Sequence, residues 1–568
     1  MPTYSLPVGI DSFEKIRSGG YYYVDKTGFI IELMQKIFEV NLITRPRRFG
    51  KTLLMNMLSE FFDIRKDSGA LFEGLEISKN KQLCCIWQNQ WPVLFLTLKS
   101  VEGLKFDSAY GMLEAVISEL CVEHFYLAES QVVNPVHREI FLRLAKKTAS
   151  EEEIKNSLYT IMAMMQTHYG KRVILLVDEY DVPLAKASEN GYYKQMLDVI
   201  RGILGQVLKG NSSLKFSVVT GCLRIAKESI FTGTNNFVSD TISGRRFERY
   251  FGFTEKEVRE LLENTGFSEY KNEVKLWYDG YLFGREKIYC PWDVLNYINS
   301  LQDNPDAKPE NYWKNTSHNG IIRSFIDRTD LAVNEKFEVL LAGGIIRERI
   351  EEDLTYDVLH SSEENLWSIL YLTGYLTQEE ASEEAVDAAL VALKIPNREI
   401  RSIFTDTVAR WFQDTVMGMD RRSLFVAFWN GDVEKITEQI SDLLFQTISY
   451  HDYKESYYHA FLAGIFVGAG YGVESNYEHG AGRPDIAITD KKSRKAIVIE
   501  VKHSQRASGM LKDCSAALQQ IRTRSYADDF LADGYRAVWC YGAAFYGKSC
   551  LIQCECIQNN KNMSALKI

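Results

Sequence analysis

The chain of 568 residues lacks an apolar run long enough to cross a bilayer. A spanning helix needs roughly 18 to 20 apolar residues. The nearest stretch, Ala460 to Gly470, is short and rich in glycine, with His459 and Tyr471 at its ends. The basic-then-apolar start of a signal peptide is missing as well, and Asp11 and Glu14 stand there instead. A cytoplasmic protein with no membrane partner is the expectation. Ten cysteines are present, but none are spaced as CxxC, so neither a zinc knuckle nor a redox pair is indicated. An excess of basic charge is also absent. The net charge of −10 excludes a protein that coats nucleic acid by charge alone, and any such contact must be local. Low-complexity tracts and internal repeats are missing too. A chain of this length builds about three domains.

What is present begins with strands. Val40–Thr44, Pro92–Leu98, Val173–Val177 and Leu214–Thr220 are short β-branched runs, and longer helical patterns alternate with them. That alternation predicts a parallel α/β sheet. Val40–Thr44 runs into Arg45-Pro46-Arg47-Arg48-Phe49-Gly50-Lys51-Thr52. A phosphate-binding loop needs backbone N–H groups aimed at phosphate, a lysine at the β/γ-phosphates and a hydroxyl for Mg²⁺ at a helix start. Gly50, Lys51 and Thr52 supply the second half of that pattern, with Arg48, Phe49 and Leu53 beside them. Leu53, Leu54, Met57, Leu58, Phe61 and Phe62 recur at helical spacing. The first glycine of the general pattern is replaced by Arg45.

The apolar strand Val173–Val177 ends in Asp178-Glu179. In a P-loop ATPase a strand-end aspartate holds Mg²⁺ and the following glutamate orients the attacking water. Asp178 is therefore assigned to cofactor and metal together with Thr52, and Glu179 to catalysis. An isolated acidic pair at a strand end is more often a solvated cap, and the upstream strand–GKT–helix decides between the two. Asp181 is a further acid at the same edge. Thr220 ends the next strand, where a polar residue can sense the γ-phosphate, and Arg224, Arg245 or Arg246 could supply positive charge.

The segments Tyr21–Thr27, Arg45–Thr52, Val177–Leu184 and Thr220–Phe231 together resemble the AAA-ATPase-like family of bacterial proteins. The resemblance spans about residues 5 to 300, and Arg45 in place of glycine is usual in it. It implies a nucleotide-gated switch with slow turnover, and it leaves a homo-oligomer open.

Near the C-terminus, Pro484-Asp485-Ile486-Ala487-Ile488 and Ala496-Ile497-Val498-Ile499-Glu500-Val501-Lys502 flank a polar turn. A turn centred between Lys492 and Ser493 sets Asp485 opposite Glu500. Cross-strand Cβ atoms on one face lie about 5 Å apart. Both carboxylates can then grip one divalent ion, and period-two alternation sets Lys502 on the face of Glu500. The expected metal set is Asp485, Glu500 and Val501, with Mg²⁺ or Mn²⁺ favoured over zinc. A wet strand face is the bland alternative, but an unpaired carboxylate in an otherwise apolar strand is expensive.

These residues resemble the PD-(D/E)XK nuclease superfamily over about Tyr453 to Tyr546. The resemblance carries Asp485, Glu500 and Lys502 over as its D…ExK core. It adds Glu455 from a first helix (Lys454–Phe466), with Glu478 and His459 as lesser candidates. Gln520 and Tyr526 match the element that faces DNA.

The expected architecture is α/β multidomain: an AAA-like P-loop ATPase domain over 1–253, a helical lid or linker over 254–445 and a restriction-endonuclease-like α/β domain over 446–568. In the middle, Trp277–Tyr281 and Tyr289–Asp293 look like packing corners, with Asp279 and Asp293 at the surface or capping helices. The cofactors implied are ATP and Mg²⁺, and the partner implied is nucleic acid, with DNA favoured over RNA. A nucleotide-gated switch whose nuclease fold binds without cutting is the alternative.

Overall fold

The computed structural model describes residues 4–224, 237–313, most of 336–356, 362–380, 390–405, 422–447, 472–475, 484–490 and 493–558, with Tyr458 and Leu462. The chain divides into two compact units, Met1–Ser317 with Ile345–Ser402 and His318–Gly344 with Ile403–Ile568.

The first unit is built on a five-stranded sheet. Its strands are β1 (Val40–Thr44), β2 (Val93–Thr97), β3 (Val173–Asp178), β4 (Leu214–Gly221) and β5 (Phe237–Asp240). They stand in the order β2-β3-β4-β1-β5, and every pair is parallel. Such a sheet is covered on both faces, which is why β1 and β3 read as unbroken apolar runs and are buried throughout. Asn41, the polar exception in β1, is buried with its amide donating to the carbonyls of Phe38 and Ser217. Because β4 lies between β1 and β3, its end comes beside both the phosphate-loop strand and the acidic strand.

Beyond this sheet the unit is helical, as expected, with helices Glu255–Thr265, Lys271–Tyr278 and Pro291–Asp303. Thr254 caps the first of them in a reciprocal capping box with Glu257. Two small antiparallel sheets interrupt the helices. One joins β6 (Phe253–Thr254), β7 (Tyr281–Phe283) and β8 (Glu286–Tyr289), and the other joins β9 (Ile346–Glu348), β10 (Thr377–Gln378) and β11 (Val391–Lys394). Gly284 and Arg285 alone connect β7 to β8, and Gly284 takes φ +56, so an aromatic stretch becomes a tight hairpin.

Asp279 and Asp293 were expected at the surface or capping helices; Asp279 does cap the end of helix Lys271–Tyr278, but neither is at the surface. Both are buried, Asp293 in the first turn of its helix. Burial raises the Asp293 carboxyl, and burial together with the Asp293 charge raises that of its neighbour Glu399.

The second unit holds a mixed sheet of β12 (Gly472–Ser475), β13 (Ile486–Asp490), β14 (Lys495–His503), β15 (Ala537–Tyr546) and β16 (Ser549–Gln558), in that order. Only β14 and β15 pair in parallel. Alternation along β14 sends Ile497, Ile499 and Val501 into one core and Ala496 and Val498 into another. Helix Met510–Thr523 covers the second face through Leu518 and Ile521. The first face is covered by helices Arg422–Asn430 and Val433–Thr447, through Phe428, Ile436, Ile440 and Leu444. The core of this unit therefore draws on residues upstream of 446. Among the described residues no helix is long and apolar enough to cross a membrane.

Candidate active sites

Leaving β1, the chain turns through two left-handed residues, Arg48 at φ 74 and Gly50 at φ 84. Gly50 caps helix Lys51–Phe62 in that conformation, which a side chain would strain. Arg45 acts as a strut below the loop. Its guanidinium donates to the carbonyls of Thr44 and Asp240, both at 2.8 Å, and lies over the rings of Phe251 and Phe283. Burial lowers its pKa to about 10, and it stays charged at neutral pH. The Phe49 ring is buried against Tyr281 and Phe283, and Arg48 stacks 4.1 Å from the Trp292 ring. The side chains of Arg48 and Phe49 are thus committed to packing, and Leu53 has no polar side-chain group. These three can serve a nucleotide only through the main chain.

The ammonium of Lys51 is buried. It donates to the carbonyls of Arg45 and Pro46, both at 3.1 Å, and forms an ion pair with Glu179 at 3.3 Å. Thr52 donates to one oxygen of Asp178 at 2.8 Å and Thr220 to the other at 2.6 Å. Thus Lys51, Thr52, Asp178, Glu179 and Thr220, predicted from three separate segments, converge. Burial, and then the Glu179 charge, raise the Asp178 carboxyl. Glu179 takes φ 54, which L side chains rarely adopt, and its Oε2 is buried with no hydrogen-bond partner. The Thr52 hydroxyl and the Asp178 carboxylate are the hard oxygen donors that suit Mg²⁺, which in such a site would offset phosphate charge.

Arg224 is not part of this convergence. It pairs with Asp353 at 2.8 Å and lies over the Phe237 ring. Arg246 pairs with Asp240. Sequence reasoning left Asp181 without a role and missed Cys222 and Tyr356. Asp181 is buried, and one of its oxygens accepts from the N–H groups of Cys222 and Leu223, each at 3.0 Å, and from the Tyr356 hydroxyl at 3.1 Å. The Cys222 thiol lies 3.7 Å from the Lys51 ammonium. The signal for Asp181 was its spacing from Asp178; Tyr356 is far away in sequence and gave none.

In the second unit the β13–β14 hairpin has the expected register, Asp490 opposite Lys495 and Ile486 opposite Ile499. One further step sets Asp485 opposite Glu500. Asp485 accepts the main-chain N–H of Val501 at 2.8 Å. Glu500 is buried, and its Oε1 accepts from the Gln520 amide and from Lys502 at 3.4 Å. Its other oxygen is buried with no hydrogen-bond partner. Burial, followed by the Asp485 charge, raises the Glu500 carboxyl to about 7. Two carboxyls side by side with an unsatisfied buried oxygen fit a divalent cation bound through oxygen. Among the described residues no three His, Cys, Asp or Glu side chains converge as a metal-holding group, so this pair is what the described residues offer. Val501 is buried in the core and can contribute only its main chain.

Gln520 therefore stands beside Glu500, on the helix that covers this face. Tyr526 requires a correction. Expected to face DNA, its ring is buried in the core with Ala487, Val498 and Phe530, because the chain turns inward after the helix through Ser525 at φ 54. Glu455, His459 and Glu478 lie outside the described residues, as does most of the helix expected over Lys454–Phe466.

Two parts of the chain match family models, one around each of these clusters. Residues 7–231 match the family described as "Predicted AAA-ATPase", and residues 453–555 match the PD-(D/E)XK nuclease superfamily. The chain carries both domains in that order. It is similar to an "Uncharacterized protein in vnfD 5'region" of Azotobacter chroococcum mcd 1, 25% identical over 544 residues that cover 93% of this chain and 94% of the relative.

Proposed function

We propose that this protein binds and hydrolyses ATP, and that this activity is coupled to a Mg²⁺-dependent nuclease that hydrolyses nucleic-acid phosphodiesters, DNA before RNA. The observation that carries the nuclease half is Glu500. A buried carboxyl with an unsatisfied oxygen, in register with Asp485 and one alternation from Lys502, has a use for a cation and little structural reason without one. A divalent ion held by Asp485 and Glu500 would polarise the scissile phosphate. Lys502 orients the attacking water or neutralises charge developing on phosphorus. Gln520 holds the Glu500 carboxylate in place, and Glu455 is proposed to join the set. For ATP, Lys51 neutralises phosphate charge, Thr52 and Asp178 hold Mg²⁺, Thr220 reads the γ-phosphate, and Glu179 orients water. Residues 1–253 carry the ATPase, 254–445 the lid and 446–568 the nuclease, with the helices of 422–447 packed on the nuclease core.

A second reading, a nucleotide-gated switch that binds nucleic acid without cutting it, is favoured by one observation. Glu179 is tied to Lys51 and would have to be released before it could orient water. The purified protein, incubated with linear, circular and single-stranded DNA plus Mg²⁺ or Mn²⁺, with and without ATP, separates the two. Cleavage lost in Lys502→Ala, and made ATP-independent or abolished in Lys51→Ala, is the expected result. A wild-type chain that binds metal and DNA but never cuts leaves the switch.

A further inference from the structure

In a parallel α/β sheet the ligand lies at the carboxyl ends of the strands. In this protein a segment from far along the chain, Glu351–Leu354 with Tyr356, is fastened across that edge. Past the end of β3, Asp181 accepts from the Tyr356 hydroxyl at 3.1 Å, and in the next helix Ser188 donates to the Tyr356 carbonyl at 3.0 Å. Past β4, Arg224 pairs with Asp353. Past β5, the Thr241 and Ser243 hydroxyls donate to Glu352, Thr241 at 3.1 Å. Leu354 and Tyr356 are buried, so the segment is seated by apolar contact as well.

Its contacts fall on groups that matter for the nucleotide. Asp181 also holds the N–H groups of Cys222 and Leu223, and the Cys222 thiol touches the Lys51 ammonium. Arg224 follows two residues later. Its bond with Asp353 is an ion pair of 2.8 Å that is not aligned as a hydrogen bond, so it holds mainly by charge. A more highly charged anion can therefore compete for the same guanidinium.

We propose that this segment is an autoinhibitory strap: Asp353 withholds Arg224 from the nucleotide, and Tyr356, through Asp181, holds the loop after β4 in that withheld position. The inference rests on the nucleotide site proposed above and adds its regulation. With the strap seated, the positive charge that would stabilise the transition state is spent on Asp353. The triphosphate tail competes for Arg224, the Asp353 contact breaks, and the strap loosens. Arg224 acts on phosphate, while Asp353 and Tyr356 are positioning residues.

The test is steady-state ATP hydrolysis by the full chain. Asp353→Asn is expected to raise kcat about ten-fold with KM moved less, in the range of ordinary coupling between sites. Tyr356→Phe raises it by a smaller factor. Arg224→Ala in the Asp353→Asn background removes the gain, which a merely structural effect of Asp353 would not. A folded Asp353→Asn chain with kcat unchanged or lowered overturns the strap. Should the variants fail to fold, hydrogen exchange of residues 346–356 in the wild-type chain, with and without a non-hydrolysable ATP analogue, decides. Faster exchange on binding is expected, and identical exchange in the analogue-bound chain overturns the strap. A wild-type chain that binds no nucleotide at all overturns the nucleotide-site reading, and the strap falls with it.

Discussion

At the end of β3 both oxygens of Asp178 are taken by hydroxyls, those of Thr52 and Thr220, whereas on β14 Glu500 keeps one buried oxygen that no donor reaches. At the proposed nucleotide site the strand-end carboxylate Asp178 is satisfied by the protein's own hydroxyls, and the orphaned oxygen there belongs to the neighbouring Glu179, which pairs with Lys51 through its other oxygen. At the proposed nuclease site the orphaned oxygen belongs to the central carboxyl itself, Glu500. That carboxyl is raised to about 7 by burial and by Asp485, and the electrostatic cost falls only when a proton or a cation arrives. The contrast is between a strand-end carboxyl already held by two hydroxyls and a strand carboxyl that keeps one oxygen without a hydrogen-bond donor.

The strongest way to break that contrast is Glu500→Gln. The substitution keeps the shape and removes the charge that a cation needs. Metal-dependent cleavage is expected to fall by about 10²- to 10³-fold or more, comparable to removing one charge-stabilising group from an active site. ATP hydrolysis should stay near wild type, since the residue lies in the other compact unit. A gel assay on linear DNA, run beside a phosphate-release assay, reads both. Equal loss in the two assays would mean that the sites are not separate in the way described.

The same residue gives a pH signature. Glu500 is raised in the folded chain, so its contribution to stability is fully present below the ordinary carboxyl value and is lost as pH rises through about 7. Over that window the wild type should lose on the order of 3 kcal/mol relative to Glu500→Gln, a difference that follows from the size of the shift. Melting curves from pH 5 to 8 report it. Mg²⁺ at pH 8 should restore part of the loss in the wild type and none in the variant. A flat difference across the range would show that the oxygen is not under the strain its burial implies.

Arg45 sharpens the nucleotide side of the comparison. Arg45→Gly restores the residue that the general phosphate-loop pattern has at this position, yet it should destabilise the fold by about 2 to 3 kcal/mol, because the buried carbonyls of Thr44 and Asp240 lose their donor. The urea midpoint measures this. An unchanged or raised midpoint would remove Arg45 as the strut.

Much of this architecture is legible in the amino-acid sequence. Four of the five strands of the parallel sheet are apolar runs, and these, with the Gly50-Lys51-Thr52 pattern and the polar residues at two strand ends, point to Lys51, Thr52, Asp178 and Thr220; β5, mostly half-buried, was not foreseen. The hairpin register followed from counting outward from the turn, since a period of two leaves one register that puts Ile497, Ile499 and Val501 inside together. What escaped was set by long-range packing. Nothing near Tyr356 marks it as a partner of Asp181, 175 residues away. The helices before 446 have the apolar spacing of any amphipathic helix, and only the sheet they cover assigns them to the nuclease unit. Asp293 reads as a surface residue because its buried neighbour Glu399 lies far along the chain.

The smallest expected effect belongs to Tyr526. A tyrosine three residues past a helix matches a DNA-facing element by position alone, but position does not set the direction of a ring. Here the ring fills the layer between β13, β14 and Phe530. Tyr526→Phe keeps that volume and removes only the hydroxyl, so cleavage, DNA affinity and melting temperature should all stay near wild type, with a stability change of about 0.5 kcal/mol or less. Tyr526→Ala should instead cost about 3 to 5 kcal/mol through the cavity it leaves. If Tyr526→Phe weakened DNA binding while melting normally, the hydroxyl would reach the nucleic acid after all, and the covering helix would have to move to let it.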